Sequence, residues 1–124
     1  MIQLILCDTC VVIDFINQNS DTLDKLKEQG NILCINSIIE MELIQGAHNK
    51  REMQKIIRNI NGLRRLEINQ AILDLATQLQ TRYLLSHHLQ LPDAIIAACA
   101  LIYDIPIFTY NIKHFKYIPK IKRL

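Results

Sequence analysis

Three acidic residues stand beside apolar runs in separate parts of the chain, where a carboxylate is costly unless it has a partner. Asp8 follows the apolar run 2–7, Glu42 falls on the apolar arc of a predicted helix, and Asp93 opens a predicted buried helix. A charged side chain among buried apolar residues needs a charged or hydrogen-bonding partner. Three such acids from three elements are explained better jointly, as a group that meets at one place.

Carboxylates gathered at one place repel each other, and without a counter-ion some of them would stay protonated. A divalent cation removes that conflict, and oxygen ligands with room for water suit Mg²⁺ or Mn²⁺ rather than zinc. Such a site can activate water and stabilise an in-line attack on a phosphodiester. The three acids together therefore predict a metal-dependent nuclease.

Each of these polar residues also has a purely structural interpretation. Asp8 could cap the helix that follows it, and Asp93 could serve only to favour the dipole of its helix. Glu42 could reach solvent past the edge of its helix. Thr109 and Asn111 follow a predicted strand and supply a hydroxyl and an amide, although Asn111 could simply form a turn.

Short, nearly continuous apolar runs alternate with segments of helical spacing, which indicates strands covered on both faces and helices between them. The predicted strands are residues 2–7, 32–35, 63–68 and 105–109, with a last edge strand at 118–124. The predicted helices are residues 9–29, 37–46, 50–60, 69–85 and 92–103. This alternation predicts one domain, residues 1–124, of the α/β class: a three-layer α/β/α sandwich around a short, mainly parallel sheet.

The carboxyl edge of such a sheet is where ligands bind in this class of fold. Asp8, Thr109 and Asn111 each follow a predicted strand and are therefore expected at that edge. The helix that carries Glu42 is predicted to begin with a capping box, because Ser37 and Glu40 have the required spacing. The sheet edge and this helix must together bring the acids into one place.

The distribution of charge favours a polyanionic partner. Half of the 124 residues are hydrophobic and about a fifth are charged, which is typical of a soluble globular protein. Residues 111–124 contain five basic and no acidic residues, and residues 50–65 contain a single acid, Glu52, in a second basic cluster. Such segments could hold RNA by its backbone, although a solvated charged face would explain either one alone.

The four cysteines and the apolar segments bear on the compartment. Cys7 and Cys10 have C-x-x-C spacing, but no second pair completes a zinc site, so reduced, buried thiols of a cytoplasmic protein are expected. Asp8 and Asp14 interrupt the apolar N-terminus, which is not typical of a signal peptide. The apolar run 94–103 is too short to span a bilayer. We therefore expect a soluble protein of the cytoplasm that does not enter a membrane.

Four segments, ILCDTCVVIDF, INSIIEMELIQGA, LPDAIIAACAL and PIFTYNIKHFKYIPKIK, resemble in order and spacing the four signature regions of PIN domains. The closest resemblance is to VapC-type toxin ribonucleases of bacterial toxin–antitoxin pairs, and it covers nearly the whole chain. It implies a metal site formed by Asp8, Glu42 and Asp93. It also implies that the hydroxyls of Thr9 and Thr109 support Asp8 and the scissile phosphate.

The resemblance carries further expectations. It implies an endoribonuclease that forms a homodimer and is neutralised by a small antitoxin, whose tail would reach into the acidic pocket. Many relatives have a fourth acid in the last signature region, where this chain has Asn111. An amide there can still orient a water as a neutral ligand, but it weakens the case for a second tightly bound metal.

Two other interpretations keep the same fold. One is a catalytically weak or inactive RNA-binding or protein-interaction module, for which Asn111 is the only argument. The other is a PIN nuclease that acts in RNA maturation or on structured DNA. Several remaining polar residues are assigned no role in the metal site and are expected in exposed, loop or supporting positions: Asp14, Asp74, His87, His88 and Asp104. Contact with substrate is the alternative for the two histidines.

Overall fold

Residues 2–124 are described by the computed structural model, and within them six α-helices alternate with four short strands. The strands are β1 (Leu4–Cys7), β2 (Ile32–Ile35), β3 (Arg64–Arg65) and β4 (Ile107–Phe108). The helices are α1 (Thr9–Ile16), α2 (Thr22–Glu28), α3 (Ser37–Gln45), α4 (Lys50–Ile60), α5 (Gln70–His87) and α6 (Leu91–Tyr103), with a short 3-10 helix at Ile112–His114. The predicted alternation of strands and helices is confirmed.

The four strands form one parallel sheet in the order β3-β2-β1-β4. In the register of the sheet, Leu6 of β1 lies opposite Cys34 of β2 on one side and Ile107 of β4 on the other. The chain adds strands in one direction from β1 to β3 and then returns to place β4 on the other side of β1. The carboxyl ends of β1 and β4 therefore form the topological switch point, where ligands bind in sheets of this kind.

The core is built from the strands and from α6, which is buried on nearly every side. All seven residues from Ala94 to Ala100 are buried, and α5 packs along α6. This arrangement follows from the run of small and branched apolar residues in α6, which leaves no polar face for solvent. Among residues 2–124, no helix combines the length and apolarity needed to cross a membrane.

The C-terminal segment differs from its prediction, because the expected edge strand at 118–124 is reduced to a single bridge between Ile107 and Arg123. Phe115 and Ile118 are instead buried in the core. Pro119 has no N–H for a strand ladder, and Lys120 adopts a positive φ of 66°, so the chain turns here. The predicted strands at 63–68 and 105–109 also shorten to two residues each.

The predicted helical segment 9–29 consists of two helices, α1 and α2. The chain breaks at Gln18, whose φ is 58°. At its other end, α2 is closed by Gly30, whose φ of 91° suits a residue without a side chain. The N–H of Gly30 donates to the carbonyl of Lys27, and the N–H of Asn31 donates to the carbonyl of Leu26. These two bonds form a Schellman motif, which ends α2 where Gly30 was predicted to end it.

Candidate active site

Asp8 lies at the end of β1, buried at the switch point with only 6% of its surface exposed. Its backbone is extended, and its Oδ1 accepts a 2.8 Å hydrogen bond from the N–H of Thr9, the first residue of α1. The side chain is therefore the cap of α1. Its other oxygen, Oδ2, is left to contact groups from the opposite side of the switch point, so capping uses only half of the carboxylate.

Thr109 supplies that contact from the loop after β4. The N–H of Asp8 donates to the carbonyl of Phe108 at 2.9 Å, which brings the two strand ends together. The hydroxyl of Thr109 then donates to Oδ2 of Asp8 at 2.8 Å. Sequence reasoning missed a neighbour: the Cys10 thiol lies 3.8 Å from Oδ2 of Asp8 and 3.7 Å from Oγ1 of Thr109. The two cysteines of the C-x-x-C spacing therefore do not act together. Cys10 lies at the site, whereas Cys7 is buried in the core, where burial raises the pKa of its thiol to about 12.

Glu42 is positioned by the start of α3, and the structure corrects the prediction for that start. The cap is Asn36, a fully buried residue after β2, whose Oδ1 accepts from the N–H of Ile39 at 3.0 Å. Ser37 is the first residue inside the helix, so the expected capping box with Glu40 does not form. Glu40 instead pairs with Arg65 at the end of β3. A shift of one residue would have been difficult to predict, because Asn and Ser are both good caps.

Glu42 itself is half-buried, and its Oε1 accepts a 2.7 Å hydrogen bond from the hydroxyl of Thr9. The structure therefore favours the site interpretation of Glu42 over the solvent-directed one, since one oxygen of its side chain contacts α1. The contact also reassigns Thr9, which was expected to support Asp8. Its hydroxyl binds Glu42, and only its backbone N–H binds Asp8. Thr9 thus connects the first two acids of the predicted trio through one residue.

Asp93 lies in the first turn of α6, with its side chain 26% exposed. Burial, and after it the negative charges of Asp8 and Glu42, raise the pKa of its carboxyl to about 6. The neighbouring His114 acts in the opposite direction and lowers the pKa of Asp93. The structure therefore brings the three acids close enough for Asp8 and Glu42 to disfavour a charge on Asp93.

His114 is the second contact that sequence reasoning missed. Its Nδ1 lies 3.4 Å from Oδ2 of Asp93, at the end of the short 3-10 helix. The spacing of the two residues does not predict this contact, because the rest of α6, β4 and a turn lie between them in the chain. Its position in the last signature region was the only available signal.

Asn111 lies at the start of the 3-10 helix, and its side chain is exposed. Its N–H donates to Oγ1 of Thr109 at 3.0 Å. The bond is typical of a turn stabilised by a threonine hydroxyl. The structure thus favours a turn-forming role for the backbone of Asn111, at the same sheet edge as Asp8.

The three candidate ligands, Asp8, Glu42 and Asp93, offer carboxylate oxygens, which are the ligands that Mg²⁺ or Mn²⁺ prefers. Within residues 2–124, no three His, Cys, Asp or Glu side chains form a preassembled metal-binding group. The charges of Asp8 and Glu42 nevertheless act with burial to raise the pKa of Asp93. A cation would relieve that repulsion, so the residues present fit a hard divalent ion in their chemistry.

The other acids that were assigned no role in the metal site lie elsewhere. Asp74 is exposed on α5 and accepts a hydrogen bond from Gln70 at 2.8 Å. Asp104 ends α6 in a left-handed turn and pairs with Lys122 at 2.8 Å. Both match their predicted exposed or turn positions. Asp14 is half-buried within α1, in keeping with a supporting position rather than a ligand.

Comparison with known proteins places this arrangement in a wider context. The model of the PIN domain family matches residues 5–121. No curated protein matches the chain in a sequence search. Several solved structures match over nearly their whole length.

One similar structure is VapBC2 from Rickettsia felis bound to a DNA fragment from its promoter, with a TM-score of 0.80, 20% identity and 98% of each chain covered. VapBC-1 from nontypeable Haemophilus influenzae gives a TM-score of 0.81 at 20% identity, over 98% of this chain and 97% of that one. A toxin–antitoxin complex from Klebsiella pneumoniae is 28% identical, with a TM-score of 0.75, over 94% of this chain and 93% of that one. The predicted sandwich fold is confirmed by these likenesses.

Proposed function

This chain belongs to the PIN domain family, and we propose that it is a metal-dependent endoribonuclease that hydrolyses phosphodiester bonds of RNA. The observation that carries the proposal is the electrostatic coupling of Asp93 to Asp8 and Glu42 at the switch point of the sheet. Burial and the charges of Asp8 and Glu42 disfavour the ionised form of Asp93, and a cation at the site would remove that cost. In a nuclease, such a cation would activate water and stabilise charge at the phosphorus.

In this proposal Asp8, Glu42 and Asp93 hold Mg²⁺ or Mn²⁺. When bound, the cation supplies positive charge for the developing phosphorane oxygens and lowers the pKa of an attacking water. The protein's own part is to keep the carboxylates in place. The hydroxyl of Thr109 donates to Asp8 and the hydroxyl of Thr9 donates to Glu42. Both carboxylates are therefore held in place before substrate binds. Asn111 lies at the same edge, where its amide is available to substrate or water.

The backbone of RNA requires positive charge near these acids, because phosphates and carboxylates repel each other. The exposed basic side chains of α4 and of the C-terminal segment are candidates to supply it. Lys113 is the nearest candidate on the C-terminal segment, since it lies in the same 3-10 helix as His114, the partner of Asp93.

We further propose that the protein is the toxin of a toxin–antitoxin pair in the cytoplasm and acts as a homodimer. The support is the likeness to VapBC complexes and to the Klebsiella pneumoniae complex. The partner would be a small antitoxin that places a basic side chain near the three acids. Such a side chain would offset their mutual repulsion in place of the cation, which is a direct way to inhibit the enzyme.

Asn111 favours a second candidate function, a catalytically weak module that binds RNA or protein on the same fold. Its amide stands where many relatives have a fourth acid, and its backbone has a turn-forming bond to Thr109. A PIN nuclease that acts in RNA maturation would share the site and differ only in its substrate. Cleavage and toxicity measurements separate these three possibilities.

The decisive experiment measures RNA cleavage with Mg²⁺ or Mn²⁺ for the wild type and for Asp8→Asn and Asp93→Asn. Asp74→Asn is the matched control, because it makes the same chemical change on the exposed side of α5. We expect the first two variants to lose cleavage and the control to keep it. Cleavage by both site variants at the wild-type rate would refute the metal-site assignment, and RNA binding without any cleavage would favour the inactive module.

Toxicity is tested by expression in a bacterial host. The wild type is expected to arrest growth, and Glu42→Gln is expected to relieve the arrest. Glu28→Gln, a change at an exposed position at the end of α2, should remain toxic. Normal growth on expression of a wild-type protein that cuts RNA in solution would favour the maturation nuclease over the toxin.

A further inference from the structure

A cleft of about 140 Å³ is lined in part by Asp93 and not by Asp8, and its other lining side chains are of types that contact nucleotides. The lining includes His87, His88 and Gln90 from the end of α5 and the loop that follows, and Lys113, His114 and Tyr117 from the C-terminal segment. Of these lining residues, Asp93 is the only acid. The cleft is well below the roughly 300 Å³ at which pockets for whole drug-sized ligands begin, so it suits a single ring or base.

One wall of the cleft is an aromatic stack that joins two distant parts of the chain. The rings of His87 and Tyr117 lie nearly parallel, with 14° between their planes and 4.0 Å between their centroids. Tyr83 meets both rings edge-on, at 5.7 Å from His87 and 5.1 Å from Tyr117. Because the three rings hold α5 against the C-terminal segment, the wall is fixed before a ligand arrives. Because these two rings already face each other, a nucleic-acid base can stack only on an outer face of the pair.

The remaining lining residues are held by local contacts and carry hydrogen-bonding groups or positive charge. The hydroxyl of Ser86 lies 2.8 Å from Nδ1 of His87, which orients that ring. The Nε2 of Gln90 donates to the carbonyl of His88 at 3.1 Å, which restrains the amide of Gln90. Lys113 is exposed and brings a positive charge to the cleft. A stacking wall, restrained polar groups and one lysine together match a nucleotide of a single strand.

We propose that this cleft holds the RNA nucleotide next to the bond that is cut, with its base against His87 and Tyr117 and its phosphate near Lys113. The inference deepens the proposed function and rests on it for the place of the cut. Asp93 belongs both to the cleft and to the acidic trio, so a strand seated here runs directly past the carboxylates. The cleft would thus set where the strand is cut and which base is preferred beside the cut.

The charge near the cleft favours RNA over a peptide as its occupant. Lys113, Lys116 and Lys120 follow each other within eight residues of this segment, with no acid between them. A basic antitoxin tail would be repelled here, whereas a phosphate backbone would be attracted. A peptide occupant remains an outcome that the experiment distinguishes.

The experiment measures binding of a fluorescently labelled single-stranded RNA by anisotropy, with every variant in an Asp8→Asn background so that the RNA stays intact. Tyr117→Leu removes the ring, whereas Tyr117→Phe retains it, so we expect about a tenfold loss of affinity for the first and little for the second. Lys113→Gln is expected to lower the salt slope of binding by about one. Lys27→Gln, the same change at an exposed position of α2 outside both basic segments, should leave that slope unchanged. Thermal melting of each variant checks that it folds, and Lys113→Gln changes only an exposed residue.

Several results would overturn the inference. It fails if Tyr117→Leu and Lys113→Gln bind RNA as tightly as the Asp8→Asn parent protein. If the wild type cuts RNA in that case, the proposed function stands and only the role of the cleft is rejected. It also fails if Lys113→Gln and Lys27→Gln reduce the salt slope equally, because the loss then does not depend on a charge at the cleft. A loss of antitoxin binding with unchanged RNA binding would assign the cleft to a protein segment. Selective loss of RNA binding by a protein whose wild type never cuts RNA would support the cleft and reject the nuclease.

Discussion

The hydroxyl of Thr109 donates a 2.8 Å hydrogen bond to Oδ2 of Asp8, between residues 101 positions apart in the chain. The bond crosses the switch point and ties the loop after β4 to the end of β1. Since Oδ1 of the same carboxylate caps α1, both oxygens of Asp8 are engaged by donors from different elements. A carboxylate held in this way is fixed before any substrate arrives, which is the condition for efficient catalysis at such a site.

The first prediction concerns this bond. Thr109→Val keeps the shape of the side chain but leaves Oδ2 of Asp8 and the N–H of Asn111 without their partner. Buried groups that lose a hydrogen-bond partner cost about 1–3 kcal/mol each. We expect the free energy of unfolding to fall by about 1–2 kcal/mol, because Asn111 is exposed to water, and RNA cleavage to fall as well. Chemical denaturation and a cleavage assay measure the two effects.

Thr109→Ser is the control for this change, since it keeps the hydroxyl and removes only a methyl group. It should retain most of the stability and most of the cleavage. A serine variant as impaired as the valine variant would show that packing of the methyl group, rather than the bond to Asp8, accounts for the loss.

The second prediction concerns the bond from Thr9 to Glu42. A double-mutant cycle of Thr9→Val and Glu42→Ala should give a coupling energy of about 1 kcal/mol in the free energy of unfolding, because each change removes the direct contact of the two side chains. Thr9→Val combined with Asp74→Asn provides the reference cycle and should be additive. Equal coupling in the two cycles would mean that Thr9 does not hold Glu42 in solution.

The third prediction concerns the start of α3. Asn36→Ala removes the side chain that caps the helix, and a lost cap costs about 0.5–2 kcal/mol. We expect about 1 kcal/mol, because the Nδ2 of Asn36 is buried without a hydrogen-bond partner among residues 2–124, and its removal offsets part of the loss. Ser37→Ala should be nearly neutral. A larger loss of stability for Ser37→Ala than for Asn36→Ala, in thermal or chemical denaturation, would instead support the capping box that the sequence predicted.

These contacts show which parts of the fold were predictable from the sequence. The buried strand before Asp8 and the apolar helix after Asp93 were found because their apolar runs are unbroken, and hydrophobic burial dominates the placement of such elements. The ends of β3 and β4 were missed because pairing in the sheet, and not local pattern, decides how many residues of an apolar run become strand.

The details of the candidate site were less predictable, for a physical reason. The hydrogen bond from Thr9 to Glu42 and the contact between His114 and Asp93 depend on how separate elements pack, and neither has a spacing that marks it in the chain. The Asn36 cap lies one residue from the predicted one, at a position where both residue types are suitable. The sequence predicted which acids form the candidate site, whereas packing determines what each of them contacts.

The fourth prediction concerns the cation. Mg²⁺ or Mn²⁺ should raise the melting temperature of the wild type, because a ligand that binds only the folded state stabilises it by about 2.7 kcal/mol at about 100 times its dissociation constant. Asp8→Asn and Asp93→Asn should lose most of this gain, whereas Asp74→Asn should keep it. An equal shift in all four proteins would indicate a general salt effect and count against a bound ion.

The fifth prediction concerns the pH dependence of stability that Asp93 confers without a cation. The folded protein holds the pKa of Asp93 at about 6, above its ordinary value of 3.8, so between those two pH values the folded state retains a proton that the unfolded state has lost. Stability from this group is therefore highest below pH 4, falls as the pH rises towards 6, and stays low above it. Asp93→Asn removes the ionisation and should stabilise the metal-free protein at pH 8 by about 2 kcal/mol, given about 1.4 kcal/mol for each unit of pKa and some screening by solvent. The gain should vanish near pH 4. Denaturation curves in EDTA across this range measure the gain, and Asp74→Asn is a control whose effect should not change with pH. A gain for Asp93→Asn that is constant from pH 4 to 8 would show that neither burial nor the neighbouring acids raise the pKa of Asp93 in solution.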